Sequence, residues 1–380
     1  MPEPSGDQEC DREWDLAGLV APDYRGACIA NVVPALLEWQ DTPCWLPSAA
    51  ADADQVVLLV LDGLGWEQLQ ARTRAMPTLC GLDGGPITSV APSTTAAALT
   101  SIATGLPPGE HGVLGYRLFL ENDVVNTLRW SMERGDARSA HPPKLVQPHE
   151  SFCGQRPPVV TRAEFSSTGF TQAHLSGTRF FGYRLMSSLV TQVVDLARAG
   201  EPFVYAYYEG IDKAAHEYGL GRYYEAELQA ADHLVAWLLR ELPSGTALLV
   251  TADHGQVETG TNVIEPHPTV LANTAVQSGE GRFRWLHARP GRAAALLGAA
   301  RQHHCGDAWV CSRQEAVAAG WFGPQVSEES ANRLGDVCLV AKGTVSFHDP
   351  ADSGPYPLVG RHGSLTSAEM WVPLLAGVAG

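Results

Sequence analysis

Three stretches of the chain are apolar or aromatic at nearly every position rather than at alternate ones: Val56–Leu61, Phe203–Tyr208 and Ala247–Thr251. A strand covered on both faces of a parallel sheet reads this way, because neither set of alternating side chains meets water. Each run stops abruptly in a polar loop and an acid follows it: Asp62 directly, Asp212 four residues on, Asp253 two residues on. Between the runs, Thr94–Thr104, Arg184–Ala199 and Tyr223–Glu241 carry Ala, Leu and Val at helical spacing. Strands alternating with helices predict an α/β fold, a three-layer α/β/α core around a mostly parallel sheet. The ligand crevice of such sheets lies beyond the carboxyl ends of the strands, so three strands that each deliver an acid there describe one site.

Two stretches break the rhythm. Arg117–Phe170 is rich in Pro, Arg and polar residues, and Gln256–Pro355 mixes irregular strands, Gly and an Ala-rich helix near Arg292–Arg301. The expected organisation is a core of residues 1–255 and 356–380, with an excursion over about 117–170, and an inserted cap region over 256–355. Both irregular stretches are expected to build the substrate pocket.

The net charge of −16 repels phosphate backbones and anionic lipid, so stable nucleic-acid binding and a membrane role are disfavoured. The eight cysteines are scattered without a C-x-x-C pair, which signals neither a zinc ribbon nor a disulfide framework and suits buried thiols in a reducing compartment. The amino-terminal stretch carries acids and lacks the apolar run of a signal peptide, and the expectation is a soluble, cytoplasmic protein. Oligomeric state is left open.

The chemistry lies in paired Asp and His residues: Asp62, Asp212 with His216, Asp253 with His254, and His362 in Gly-Arg-His-Gly. Carboxylate and imidazole without thiolate suit a catalytic rather than a structural metal, and six ligands serve two ions at three each. Zn²⁺ fits these ligand types best, and Mn²⁺ tolerates the same shells. Asp212 and His216, four residues apart, face the same way on one helical turn. Asp253 and His254, as neighbours, diverge, and Gly255 relieves the backbone at the sharp turn. A nucleophile is available in Ala91-Pro-Ser-Thr-Thr-Ala, where Thr95 sits in the first turn of a helix. Ser93 and Thr94 are its rivals, and capping is the alternative role for all three. His111 reads as structural, and His267, His303 and His304 as packing or solvated residues of the cap.

In their order, Asp…Thr…Asp-x-x-x-His…Asp-His…His, these residues resemble the alkaline phosphatase superfamily, and within it the nucleotide pyrophosphatase/phosphodiesterase branch. Thr104-Gly-Leu-Pro-Pro-Gly-Glu-His-Gly112 and the closing His362-Gly-Ser-Leu with Glu369-Met-x-Val-Pro-Leu carry the likeness further. The resemblance covers about Val56–Tyr116, Phe203–Gln256 and Gly360–Leu375. It implies that Asp62, Thr95, Asp253 and His254 hold one zinc, that Asp212, His216 and His362 hold the other, and that Thr95 is the nucleophile. Cys80 lacks the Cys-x-Pro-x-Arg context of the sulfatase branch.

Two departures concern substrate. The family often follows the Thr with Phe-Pro-Asn, the aromatic helping to hold a base, where this chain has Ala96-Ala97-Ala98. The family's phosphate-binding Asn after the His-Gly pair falls on Tyr116, followed by Arg117, which makes these two the candidate substrate contacts. The expected activity is two-metal hydrolysis of a small-molecule phosphodiester or nucleotide pyrophosphate bond through a phosphothreonine. Its alternatives are a phosphomonoesterase and a catalytically silent, zinc-dependent binder of phosphorylated ligands.

Overall fold

The computed structural model describes residues 16–352 and 357–380; Cys10, the acidic amino-terminal stretch and the expected boundary at 355/356 lie outside them. Numbered along the chain, the strands of its seven-stranded sheet and of the four-stranded sheet within 274–341 are β1 (Val56–Leu61), β2 (Asp83–Thr88), β3 (Pro158–Arg162), β4 (Arg179–Tyr183), β5 (Phe203–Tyr208), β6 (Ala247–Thr251), β7 (Thr274–Glu280), β8 (Phe283–Ala288), β9 (Ala308–Ser312), β10 (Val337–Ala341) and β11 (Trp371–Val378). Seven of them form the central sheet in the order β2-β11-β6-β1-β5-β3-β4. β11 alone runs against the others. The three apolar runs sit in its middle with the bounds their sequence predicts, and β1 is buried at every position. Register sets their carboxyl ends level, since Val60 pairs with Thr251 and Leu61 with Tyr208.

The longer helices are α1 (Thr95–Thr104), α2 (Met186–Arg198), α3 (Gly210–Tyr218), α4 (Arg222–Glu241) and α5 (Ala293–His304). In α4 the buried Tyr224, Leu228, Ala231, Val235 and Leu238 recur every three to four residues, the stripe that seats a helix on its core. α1 is different, being buried at all ten positions; its run of small Ala residues lets it lie inside the protein.

The stretch read as an excursion returns to the core. Residues 117–136 form a small antiparallel sheet, but Pro158–Arg162 is a mostly buried strand of the central sheet beside β5. Its apolar run is too short to stand out among Pro and Arg neighbours.

Strands β7 to β10 build an antiparallel sheet in the order β7-β8-β10-β9. Alternation along β10 sorts it into two faces. Val337, Leu339 and Ala341 pack with Leu296 and Ala300 of α5, whereas Cys338 and Val340 join Phe283, Trp285 and Trp309 in the main hydrophobic core. Cys311 and Cys338 stand opposite each other with Sγ atoms 2.9 Å apart. No described helix is long and apolar enough to cross a membrane.

Candidate active site and metal centre

The level strand ends bring the acids together. The Asp62 N–H donates to the Tyr208 carbonyl (2.9 Å) and the Asp212 N–H to the Asp62 carbonyl (3.1 Å), which ties the start of α3 to the end of β1. On α3, Asp212 and His216 share one turn, with Oδ1 and Nε2 3.2 Å apart. After β6 the chain turns so sharply that Asp253 and His254, expected to diverge, converge instead: Oδ2 and Nε2 are 3.4 Å apart. Gly255 permits this by close approach rather than by unusual φ, since a Cβ there would lie 2.0 Å from the Ala368 carbonyl oxygen. His362 follows the short strand Gly360–Arg361 and reaches the site on a loop bonded to Ser93, whose N–H donates to the Gly363 carbonyl at 3.1 Å.

The result is two groups of three, Asp62 with Asp253 and His254, and Asp212 with His216 and His362. Within each group the candidate ligand atoms lie within 4.8 Å of one another. All three imidazoles are pinned alike. Nδ1 of His216 bonds the Gly360 carbonyl (2.7 Å), that of His254 the Gly255 carbonyl (3.0 Å) and that of His362 the Ser93 carbonyl (3.0 Å). A carbonyl only accepts, so each Nδ1 carries the proton and each Nε2 turns a lone pair inward, as a metal-ligating histidine requires.

The carboxylates fit the same purpose. Asp253 Oδ1 accepts from the N–H groups of Gly63 (3.1 Å) and His254 (3.0 Å), while its buried Oδ2 has no partner among the described residues. Asp62 Oδ2 accepts from the Tyr207 hydroxyl, and its Oδ1 is likewise buried without a partner. Burial raises the Asp62 pKa well above the usual carboxylate range, and the neighbouring charges of Asp253 and Asp212 add to it. Burial, then His254 and His216, pushes His362 well below its ordinary value. Two orphaned carboxylate oxygens facing three inward lone pairs match a pair of divalent cations, which would neutralise the acids and take up the unpaired atoms.

Thr95 opens α1 at the edge of this cluster, and its Oγ1 lies 3.1 Å from His254 Nε2. Its rivals are turned elsewhere: Ser93 Oγ donates to the Ser364 carbonyl (2.6 Å), and Thr94 stands at the Ncap without a side-chain capping bond. A cavity of about 200 Å³ begins at Asp62, Thr95 and Asp212 and runs back between Phe165, Phe170 and His174. No described residue of 256–355 lines it; the far wall comes from residues 128–175. Neither Tyr116 nor Arg117 lines it. The Tyr116 hydroxyl accepts from Asn126 Nδ2 (2.6 Å), and the Arg117 guanidinium is held by Asp349 and by Asp352 at 2.9 Å.

A family model described as type I phosphodiesterase / nucleotide pyrophosphatase matches residues 56–183 and 170–365. The chain belongs to that family. It thereby falls within the alkaline phosphatase superfamily. Among curated relatives, venom phosphodiesterase 2 of Crotalus adamanteus is 26% identical over 277 residues, 64% of this chain and 32% of that protein. Ectonucleotide pyrophosphatase/phosphodiesterase family member 3 of Mus musculus is 24% identical over 231 residues, 56% of this chain and 26% of that protein. The chain thus spans about a third or less of these relatives' length. Murine ectonucleotide pyrophosphatase/phosphodiesterase 5 shares the fold with a TM-score of 0.65 at 17% identity, covering 85% of this chain and 87% of its own. So does phosphonoacetate hydrolase from Sinorhizobium meliloti, with a TM-score of 0.62 at 19% identity over 88% of this chain and 90% of its own.

Other histidines lie apart from the metal groups. His111 is fully buried, accepts from the Val113 N–H at Nδ1 (3.1 Å) and so donates from Nε2 to Ser101 Oγ (2.9 Å). Burial pushes its pKa down to about 3. His267 and His303 stack at 3.5 Å, and His304 Nε2 accepts from the His267 N–H (2.9 Å). The cavity residues Phe165 and His174 were not legible, because they follow no motif and their placement depends on β3 joining the sheet.

Proposed function

We propose that this chain hydrolyses a phosphodiester or pyrophosphate bond in a nucleotide-like small molecule, with Thr95 as nucleophile. Asp62, Asp253 and His254 would hold one divalent ion beside Thr95, and Asp212, His216 and His362 the other. Zn²⁺ suits this oxygen and nitrogen donor set. The observation that carries the reading is the Thr95 hydroxyl 3.1 Å from the Nε2 of one inward-facing imidazole, at the mouth of a cavity. When bound, the ions supply a lowered hydroxyl pKa and neutralise charge on the phosphoryl oxygens.

The protein's own residues do the rest. Thr95 passes its proton to solvent, its Oγ1 bonds to phosphorus, and the bond to the leaving oxygen breaks, that oxygen taking a proton from solvent. Water then attacks phosphorus, breaks the Oγ1–P bond and restores the hydroxyl. The unpaired N–H groups at the start of α1 favour negative charge where the phosphoryl oxygens gather. The Tyr207 hydroxyl holds Asp62 Oδ2 and so presents Oδ1 to the site.

The nucleotide-like character rests on two supports. A relative of the same fold, an inactive variant of the murine protein, is described in complex with AMP. Here no aromatic follows Thr95, but Phe165 and Phe170 provide flat apolar surface across the cavity. A small anion such as a carboxylate is a poorer match. Lys213, the only Lys or Arg among the described lining residues, is bonded to Glu209 at 2.9 Å.

The test is a comparison of an aryl phosphate with a bis-aryl phosphate, using protein stripped by chelator and reloaded with Zn²⁺ or Mn²⁺. Metal-dependent turnover with a diester preference is expected. A large monoester preference would replace the reading with a phosphomonoesterase, and no turnover with either would leave the silent binder.

A further inference from the structure

The cavity behind Thr95 is lined by an imidazole that nothing in the proposed chemistry uses. His174 ends the short helix Gly169–His174, is 5% exposed, and lines the cavity. Its Nδ1 bonds the Phe170 carbonyl at 2.7 Å, so Nδ1 carries the proton. Its ring lies against Phe170 at 3.9 Å and 20°, which fixes the ring plane. Thr168 caps the helix by accepting from the Thr171 N–H at 3.1 Å, so the helix that presents the ring is itself held. Nε2, on the opposite side of the ring from the Phe170 carbonyl, has no hydrogen-bond partner among the described residues. Burial keeps the ring neutral, with its pKa pushed down to about 4.

The remaining wall sharpens the point. Leu99, Leu128, Phe165, Phe170 and Leu175 are apolar, Thr161, Thr168, Thr171 and Tyr205 add hydroxyls, and the Lys213 and Glu209 charges satisfy each other. A largely apolar chamber thus holds, besides hydroxyls that can donate or accept, one fixed, uncharged imidazole whose free nitrogen can only accept. Resting on the reading of Thr95 and this cavity as one active site, we propose that His174 is a specificity-determining residue. Its Nε2 accepts a hydrogen bond from an uncharged N–H or O–H group on the organic substituent carried by phosphorus. The substrate class is then a phosphodiester whose cavity-side group is flat, apolar and donor-bearing. Groups of that shape lacking the donor are handled less well, because they leave Nε2 dry and unpaired.

The experiment compares kcat/KM for 4-nitrophenyl phenyl phosphate with its 2-, 3- and 4-hydroxyphenyl counterparts, so that the chromogenic leaving group stays constant. At least one hydroxyphenyl ester is expected to exceed the phenyl ester by about fivefold, the size of one neutral hydrogen bond. In His174→Phe that ratio is expected to fall to about one, and in His174→Gln, which keeps an acceptor, to stay above it. The ratio is internal to each variant, so a general loss of activity or packing does not move it. Turnover with equal rates for all four esters, or a ratio unchanged in His174→Phe, overturns this inference alone. Absence of turnover with every ester in the wild-type protein overturns the Thr95 reading and this inference with it.

Discussion

Arg282 and Glu369, both fully buried, meet as a two-pronged pair: Nε bonds Oε1 and the second terminal nitrogen bonds Oε2, each at 2.7 Å. Glu369 Oε1 also accepts from the Ser364 N–H at 3.0 Å, and Oε2 from the Thr366 hydroxyl. One carboxylate therefore joins the β7–β8 turn to the loop that carries His362. Removing either partner strands a charge in the interior, so Arg282→Met or Glu369→Leu alone should cost about 3–5 kcal/mol in urea unfolding. The double variant should recover most of that loss. Equal losses in all three variants would show that the pair acts only through packing.

Thr95→Ala should lower turnover of any active ester by about a thousandfold or more while leaving metal content unchanged by elemental analysis. Retained turnover would move the nucleophile to Ser93 or Thr94, despite the bond that holds Ser93 to Ser364.

The two ligand groups should fail separately. After exhaustive dialysis, His254→Ala and His216→Ala should each retain about one ion per chain where the unaltered protein keeps two. Chelation should also destabilise the protein, by about 4 kcal/mol relative to a metal concentration a thousandfold above the dissociation constant. The reason is local, because Asp62 and Asp253 each bury an oxygen without a partner. A melting temperature indifferent to chelator would contradict both groups.

His111 makes acid sensitivity measurable away from the metal groups. Its folded pKa of about 3 lies below the ordinary 6.5, so between those values the unfolded chain binds a proton that the folded chain refuses. Its contribution to stability is complete above pH 6.5 and is lost as pH falls toward 3. In His111→Phe the slope of unfolding free energy against pH near pH 5 should be shallower by about 1.4 kcal/mol per pH unit. Urea melts at several pH values give that slope, and parallel curves would place the proton elsewhere.

The central strands were legible to the residue because burial on both faces leaves an unbroken apolar run, and the acids were legible because they follow those runs directly. That Asp212 and His216 share a face followed from helical spacing. Other parts left no local trace. β2 is Asp-Gly-Gly-Pro-Ile-Thr, an edge strand whose sequence suggests a turn. β3 is short and flanked by Pro and Arg. Arg117 looked like a substrate contact because it follows Tyr116, but its acidic partners, Asp349 and Asp352, are more than two hundred residues away. His174 faces the cavity only through tertiary packing, which spacing does not encode.

The sheet of β7 to β10 shares its inner face with the main core, so swinging it aside would tear open packed Trp and Phe side chains. It behaves as masonry rather than as a door. No described residue of β7–β10 lines the cavity beside Thr95, so a tether fixing that sheet in place should leave any turnover there unchanged.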